Sequence, residues 1–299
     1  SSKGKPFFSC CQNGKVVLPF LQEPPAYLKH LYDALDANGK SFLKKIRRYN
    51  SAFAFSSTRC NTVDQHLGNM PFKIHGQMYH VQGHLTAEPG CNARYAQAYI
   101  YDVNYGTTAR VSNNPQLREN IISNLTVMLH ESNRLVDLYK HAFEVLSAAD
   151  NSDVDNPYVR IAPAMNIELI SGSDRRTQNL PTSDEVAIII NDETATETFR
   201  DVRVYLRNSV EAFTFTTISQ THSIYMPSHY VLLFPYGEGG WNWGMRLNPP
   251  VKPNGSPNRL TQPMYYRYRL HQREIEYPTI CRAKRLFQQF LVDTYAVCE

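Results

Sequence analysis

The sequence lacks acidic residues in one long stretch: no Asp or Glu occurs between Ala37 and Val63. Although the net charge of the whole chain is only +4, this stretch contains six basic residues: Lys40, Lys44, Lys45, Arg47, Arg48 and Arg59. Aromatic residues lie among them, including Tyr49 and Phe53. Cations that neutralise phosphates, beside rings that stack on bases, are typical of single-strand binding. The stretch therefore predicts nucleic acid as the partner.

The same stretch also fits a structural interpretation. In SFLKKIRRYNSAFAF (residues 41–55), apolar residues recur at three- and four-residue steps, as on the buried face of an amphipathic helix. This face consists of Phe42, Leu43, Ile46, Tyr49 and Phe53. The cations would then be solvated on the opposite face. Since one helix can carry both a core face and a phosphate-binding face, both interpretations stay open.

Long hydrophobic runs are also missing. No segment approaches the roughly 20 apolar residues that cross a bilayer, and the polar opening SSKGKPFF has no signal-peptide hydrophobic region. We therefore expect an intracellular protein without a membrane partner. The 299 residues, 42% of them hydrophobic, have room for one large domain or two modest ones. The six cysteines lack the density of a secreted disulfide framework, so most are expected to be reduced.

Motifs for catalysis are absent from the sequence. There is no G-x-x-x-x-G-K-[ST] phosphate loop, no H-E-x-x-H, no C-x-x-C and no G-x-S-x-G. No two histidines are separated by a single apolar residue, the pair that holds a divalent metal in single-strand nicking enzymes. His75, His80 and His84 are close in sequence, but a strand would place His75 opposite the other two. Structural histidines are favoured over a metal-dependent nuclease, and we expect no catalysis by this chain.

Helical periodicity marks several segments. AYLKHLYDAL (residues 26–35) predicts a helix that ends at Asn38-Gly39. Asn114 and Pro115 are typical of a helix start, and the following apolar positions Leu117, Ile121, Leu125, Met128 and Leu129 recur at helical steps. Near Asn133 the pattern predicts either a continuation of this helix or a helical hairpin. The segments YYRYRLHQRE and ICRAKRLFQQFLVDTYA predict helix again between residues 265 and 296.

Strand patterns occupy other parts of the chain. PFKIHGQMYHVQGHL (residues 71–85) and the alternating RYAQAYIYD (residues 94–102) predict strands. Beyond the polar segment 149–157, a candidate domain boundary, four further strand-like runs follow: VRIAPAMNIELI, EVAIIIN, RDVRVYLR and EAFTFTTIS. We predict an α+β fold with a small N-terminal sheet plus a helical hairpin, then a mainly β region and a C-terminal amphipathic helix.

Adjacent cysteines stand close to the start of the chain. FSCCQNGKVVLPF (residues 8–20) predicts a tight Gln-Asn-Gly turn that enters a short strand. Cys10 and Cys11 before this turn resemble the second half of a zinc knuckle whose first pair is missing. Ordinary half-buried thiols and metal ligation are equally open interpretations at this point.

Seven phrases together resemble one family, the Helitron transposases of eukaryotic rolling-circle transposons, also called helitron helicase-like proteins. They occur in the order of the family and cover nearly the whole chain: FSCCQNGKVVLP (8–19), IRRYNSAFAF (46–55), the I-x-G-x-x-Y-H-x-x-G-x-L phrase (74–85), RYAQAYIYD (94–102), SGSDRRTQNLPTSDEVAIII (171–190), YVLLFPYGEGGW (230–241), and YYRYRLHQRE with CRAKRLFQQFLVDTYA (265–296). Each phrase alone is a weakly specific match. Seven of them in the order of the family make a specific resemblance.

The resemblance implies a larger protein, in which a DNA-nicking domain and an ATP-dependent helicase follow beyond Glu299. The chain would then be a truncated, noncatalytic DNA-binding and scaffold region in the nucleus. Its regions would be 1–22 (partial zinc-knuckle-like), 23–150 (α+β, DNA-binding), 151–260 (mainly β) and 261–299 (start of the helitron-like N-terminal domain).

The expected partners are single-stranded or transposon-end DNA and the downstream nuclease and helicase domains. The expected DNA-binding residues are Lys40, Lys44, Lys45, Arg47, Arg48, Tyr49, Phe53, Arg59, Arg282, Lys284 and Arg285. No cofactor is expected in this chain; the resemblance implies zinc in the full-length protein, with half of the site at Cys10 and Cys11, and a divalent metal and ATP further downstream. The alternative is a structural module that packs against the nuclease and helicase and has little DNA affinity.

Overall fold

A computed structural model describes residues 8–59, 79–81, 90–137, 139–140, 166–169, 186–189, 202–205, 215–218 and 223–298 of the chain. Its helices are α1 (Phe8–Cys11), α2 (Ala26–Asp33), α3 (Ala37–Lys44), α4 (Ile46–Phe53), α5 (Gln97–Ile100), α6 (Val103–Asn113), α7 (Glu119–Ser132), α8 (residues 134–137 and 139–140), α9 (Tyr225–His229), α10 (Gln262–Leu270), α11 (Thr279–Arg282) and α12 (Arg285–Cys298). Its strands are β1 (Ser57–Arg59), β2 (Tyr79–Val81), β3 (Asn166–Leu169), β4 (Val186–Ile189), β5 (Val202–Tyr205), β6 (Phe215–Ile218), β7 (Arg246–Val251) and β8 (Pro257–Arg259). The fold is α+β, as predicted.

The strands of the described residues form antiparallel pairs. β1 pairs with β2, β3 with β4, β5 with β6 and β7 with β8. Strand β5 also lies close to β3 and β4. Strands β3 to β6 fall inside the four runs of the mainly β region, so those strand predictions are confirmed. The polar segment 149–157, predicted as a boundary, lies outside the described residues.

The basic stretch forms two short helices instead of one. At Lys45, between α3 and α4, the backbone turns away from helical geometry (φ −115°, ψ 18°). The Lys45 amide nevertheless donates to the carbonyls of both Ser41 and Phe42, at 3.1 Å each, so the chain bends without losing this bond. Of the predicted core face, Phe42, Ile46, Tyr49 and Phe53 are fully buried and Leu43 is half-buried. The amphipathic interpretation is confirmed.

The first helix ends earlier than its pattern predicts. Helix α2 ends at Asp33, and Asn38-Gly39 belongs to the first turn of α3, so this pair does not terminate α2. The Asp36 side chain begins α3 by accepting a hydrogen bond from the Gly39 amide at 2.7 Å. A Cβ atom on Gly39 would lie 2.4 Å from the Ala34 carbonyl oxygen. Glycine is required here by the close approach of the two helices.

The strand predicted for RYAQAYIYD is wrong, because this segment forms a turn and the short helix α5. Tyr95 has a positive φ of 52°, and the Arg94 amide donates to Gln97 Oε1 at 3.0 Å, which closes the turn before the helix. Ala98 and Tyr99 of α5 are buried. A four-residue helix is too short for its period to be distinguished from the alternation of a strand.

All five apolar positions that the periodicity predicts are buried, four of them on helix α7 and Leu117 just before it. Helix α7 begins at Glu119, however, because Asn114 ends the preceding helix α6 and donates from its side chain to the Arg110 carbonyl oxygen at 2.9 Å. At Asn133 the helix stops, and Asn133 Oδ1 accepts from the Leu135 amide at 3.0 Å to begin α8. The continuation considered for this position is therefore excluded, and α8 is a separate helix.

One hydrophobic core joins the beginning, middle and end of the chain. It contains buried side chains from the segment 16–18, from α2 to α4, α7, the segment 230–234, α10 and α12. Buried tyrosines reinforce it: Tyr32 donates to the Leu232 carbonyl at 3.0 Å, and Tyr268 donates to the Leu18 carbonyl at 3.2 Å. The predicted regions 1–22, 23–150 and 261–299 therefore share this core with residues 224–260 of the predicted mainly β region.

The C-terminal helices α10 to α12 confirm the predicted return to helix. On α12 and just before it, Ala283, Leu286 and Phe290 of the predicted apolar face are buried, whereas Tyr295 is exposed. Asp293 is buried in the same helix and accepts from the Tyr230 hydroxyl at 2.8 Å. No helix in the described part of the chain is long and apolar enough to span a membrane.

Candidate nucleic-acid interface

Two basic segments that are far apart in sequence meet at one surface. Helix α4 buries its apolar face in the core and directs Arg47, Arg48 and Ser51 outward, and it packs against α12. Between these helices lies a surface depression of about 350 Å³, lined by Arg47, Arg48, Asn50, Ser51, Tyr95, His229 and Gln289. Arg285 stands one helical turn before Gln289, on the same face of α12. Two cations of the first predicted segment therefore line the depression, and one cation of the second stands a helical turn away from it.

The floor of the depression is held by hydrogen bonds. The Asn50 side chain donates to the His229 carbonyl at 2.8 Å and accepts from the Leu232 amide at 3.2 Å. His229 Nδ1 lies 3.0 Å from the Ser56 carbonyl oxygen, which fixes that nitrogen as the donor. Asn50 and His229 are almost completely buried. These bonds hold α4 against α9. They therefore set the direction in which the cations of α4 point.

A buried cation, Arg110, also stabilises α4 from its core side. Arg110 donates from Nε to the Ala52 carbonyl oxygen at 3.2 Å, in the last turn of α4. Its guanidinium lies 4.2 Å from the Tyr99 ring centroid and 4.9 Å from that of Phe53. Burial lowers the pKa of Arg110, and the neighbouring Tyr99 opposes that shift. A positive charge at the carboxyl end of a helix complements its dipole, so Arg110 supports the interface without reaching the surface.

The predicted cations differ in whether a protein partner already neutralises them. Arg282 pairs with Asp33 and lies over the Tyr277 ring, and Lys45 donates to the Gln116 carbonyl oxygen. The others are exposed and make no side-chain hydrogen bond or ion pair with any residue that the structure describes: Lys40, Lys44, Arg47, Arg48, Lys284 and Arg285. We call these six residues, grouped by their exposure and their lack of a described partner, the cation cluster. Its members are available to external phosphates, whereas Arg282 and Lys45 serve internal contacts.

Two of the predicted stacking rings are core residues. Tyr49 and Phe53 are completely buried, and the Tyr49 hydroxyl accepts a hydrogen bond from the Arg118 amide at 3.0 Å. Neither ring has a face that a base could reach, which corrects their assignment to the interface. The ring that does line the depression is Tyr95, which is half-buried.

Two residues that line the depression, Tyr95 and Gln289, are not predicted from the sequence, for different reasons. The alternation of small or apolar residues with tyrosines around Tyr95 predicts a strand. Nothing in the sequence indicates the positive φ of Tyr95. Gln289 stands four residues after Arg285 in a segment with clear helical periodicity. This spacing alone predicts that the two residues lie on one face of the helix. What the pattern lacks is any sign that this face meets α4.

The structure describes the remaining predicted positions only in part. Arg59 belongs to β1, where its backbone lies opposite Tyr79 of β2, and its side chain is outside the described part of the structure. His80 lies in β2. The other two histidines of that group, His75 and His84, lie outside the described residues.

The described residues do not fit a zinc site at the adjacent cysteines. Cys10 is buried and Cys11 half-buried at the end of α1, followed by the predicted tight turn, in which Gln12 and Asn13 have positive φ. No group of three or more His, Cys, Asp or Glu side chains within the described ranges is arranged to hold a metal ion. Since structural zinc takes four ligands, these two thiols alone do not make the site.

No protein-family model matches the sequence, and no curated protein is significantly similar to it.

Proposed function

We propose that this chain is a noncatalytic DNA-binding and scaffold region of a Helitron-type rolling-circle transposase, and that it binds single-stranded or melted transposon-end DNA at the surface between α4 and α12. The observation that carries the proposal is the cation cluster, whose members come from two distant basic segments and have no protein partners within the described residues. The family resemblance supplies the nuclear setting and the nicking and unwinding activities of the larger protein.

The arrangement suits a phosphate backbone. Arg47 and Arg48 line the depression, and Arg285 stands one helical turn before its lining residue Gln289 on α12, so a strand that follows the depression toward α12 would meet cations from both helices. Binding would release counterions from each neutralised phosphate. Tyr95 offers a half-buried ring beside this path, where an unpaired base could stack.

The test is a fluorescence-anisotropy titration of the chain with single-stranded and duplex oligonucleotides at several salt concentrations. We expect binding that prefers single strands and weakens steeply with salt. The variant Arg47→Ala/Arg48→Ala should bind more weakly and lower the slope of log K against log salt by roughly 1 to 1.5, because each phosphate contact to a single strand contributes about 0.7.

The matched control removes the same charge elsewhere. In Lys29→Ala/Arg134→Ala, Lys29 already pairs with Glu23 and Arg134 lies outside the cation cluster. This variant should keep nearly the wild-type salt slope. If the two double variants had equal slopes of log K against log salt, the α4 surface would not be the DNA-binding site.

A second function is favoured by one observation. Val292 and Tyr295 of α12 are 62% and 68% exposed, although a free helix face usually carries polar residues. These side chains suit a module that packs against the nuclease and helicase domains implied by the resemblance. If the chain binds neither single-stranded nor duplex DNA at low salt, this packing role replaces the DNA-binding one.

A further inference from the structure

The turn that leads into the hairpin of β7 and β8 presents a tryptophan to solvent. Trp243 is 61% exposed, whereas its neighbour Trp241 is 4% exposed and donates from Nε1 to the Leu260 carbonyl oxygen at 2.9 Å. The two rings meet edge to face, with centroids 5.0 Å apart. Burying Trp241 therefore holds the second indole at the surface.

The backbone around Trp243 is fixed as well. Asn242 Oδ1 accepts a hydrogen bond from the Gly244 amide at 2.9 Å, and Arg246 donates from Nη1 to the Trp243 carbonyl oxygen at 2.9 Å. The exposed ring therefore stands on a constrained turn. A preorganised aromatic surface loses little conformational freedom when a ligand binds to it.

The sequence segment that contains this ring carries charges of one sign. From Gly239 to Arg273 the sequence has no Asp or Glu, and it contains Arg246, Lys252, Arg259, Arg267, Arg269 and Arg273. Three of these have structural partners: Arg246 donates to the Trp243 and Met245 carbonyl oxygens, Arg269 donates to the Pro19 carbonyl oxygen, and Arg273 pairs with Glu276. The side chains of Lys252 and Arg259 are exposed and have no hydrogen bond or ion pair to other residues in the described ranges.

Two arginines face each other across the hairpin. Arg246 of β7 and Arg259 of β8 are register partners. Like charges directly opposite one another in a sheet destabilise it. An anionic ligand would remove this repulsion, and Arg246 of the pair is joined to the backbone of the exposed indole by its hydrogen bond to the Trp243 carbonyl oxygen.

From the exposed ring and the opposed arginines, we propose that the β7–β8 hairpin is a separate single-stranded nucleic-acid site, in which an unpaired base stacks on Trp243 while its flanking phosphates contact Arg246, Arg259 and Lys252. A duplex hides the faces of its bases, so an exposed aromatic surface selects for single strands. An uncharged apolar partner would leave the arginines opposed and is disfavoured. The site uses none of the residues of the α4–α12 surface and stands independently of it.

Intrinsic fluorescence tests the site directly, because Trp241 and Trp243 are the only tryptophans of the chain. We expect an oligothymidylate of about 12 nucleotides, within the usual site sizes, to quench the emission of the wild-type chain at low salt. Trp243→Ala should lose the quenching and weaken hairpin binding roughly five- to hundredfold, the range for one stacked base. Trp241→Phe, which keeps the exposed indole, should still be quenched.

The charge partners are tested separately with Lys252→Ala/Arg259→Ala, which leaves both tryptophans in place. Its quenching should require more oligonucleotide and depend less on salt. Oligouridylate in place of oligothymidylate tells whether the site distinguishes RNA from DNA, and stacking predicts quenching by both.

Three results would overturn the hairpin site: no quenching by either single strand, equal quenching of Trp243→Ala, or equal quenching by a duplex of the same length. The Arg47→Ala/Arg48→Ala variant separates the two proposals. If it binds normally while Trp243→Ala does not, the hairpin is the binding site and the α4 surface is not. If Trp243→Ala binds normally and the α4 variant does not, the reverse holds.

Discussion

At the scale of single residues, the carboxyl group of Glu238 shows how burial changes a titration. It lies in the loop that follows the buried segment 230–234, and its Oε2 accepts from the Tyr236 amide at 3.2 Å. Burial raises the pKa of Glu238 to about 7, and it outweighs the backbone hydrogen bonds and the charges of Arg269 and Arg134. The neutral form of Glu238 is thus favoured in the folded chain below about pH 7.

This shift predicts a pH-dependent stability. As the pH rises above the ordinary value of 4.5, the unfolded state loses the Glu238 proton before the folded state does, so the free energy of unfolding falls until about pH 7. We expect the free energy of unfolding of Glu238→Gln to exceed that of the wild type by on the order of 1–3 kcal/mol near pH 8. Near pH 4 the two free energies of unfolding should be equal. Urea unfolding at both pH values measures the difference.

The exposed Glu274 provides the matched control, since Glu274→Gln removes the same charge from the surface. A gain for Glu238→Gln that is as large near pH 4 as near pH 8 would contradict the titration and indicate a packing effect instead. The sequence shows Glu238 in a glycine-rich loop. Nothing in the sequence pattern predicts that the fold buries this side chain.

At the scale of elements, the junction of α2 and α3 depends on a residue without a side chain. We expect Gly39→Ala to lower the free energy of unfolding by about 1–3 kcal/mol, because its Cβ would clash with the Ala34 carbonyl oxygen. Intrinsic propensity alone predicts the opposite sign, since alanine favours helix over glycine by about 1 kcal/mol. Chemical denaturation distinguishes the two.

The control for this junction is Ser41→Ala in the same helix, which changes propensity without entering the contact. It should be neutral or slightly stabilising. If Gly39→Ala stabilised the chain by a similar amount, the close approach of α2 and α3 would not limit this position.

Element faces were predictable from the sequence, whereas several boundaries were not. The buried sides of α4 and α7 follow directly from three- and four-residue spacing, which reports a helix several turns long. The bend at Lys45, the early end of α2 and the four-residue helix α5 depend on contacts with other elements. Local periodicity contains no information about such contacts.

At the scale of the whole molecule, the shared core predicts cooperative loss of structure. Phe290 is fully buried near the rings of Tyr230, Phe234 and Tyr266, at centroid distances of 5.0, 5.9 and 6.0 Å. We expect Phe290→Ala to cost about 3–5 kcal/mol. Far-UV circular dichroism and tryptophan fluorescence should report the same shifted urea midpoint, because the helices and the Trp241 site share this core.

Val292→Ala is the control from the exposed side of the same helix and should change the midpoint little. Separate midpoints for the two probes in Phe290→Ala would show that the region around Trp241 unfolds apart from the helices. The sequence identified both basic segments of the candidate interface. It could not place Arg47 beside Gln289, because that proximity is created by the packing of α4 on α12.

The hydrogen bonds that join the two ends of the chain also set an order of events during synthesis. Tyr32 bonds to Leu232, Asp33 accepts from Tyr277, and Leu18 accepts from Tyr268, over separations of 200 to 250 residues. At ordinary translation rates, the amphipathic helices α2 to α4 wait roughly 10 to 50 s on the ribosome before these partners emerge. Folding dominated by such distant contacts is slow. The nascent chain therefore exposes its future core to chaperones until α12 has been made.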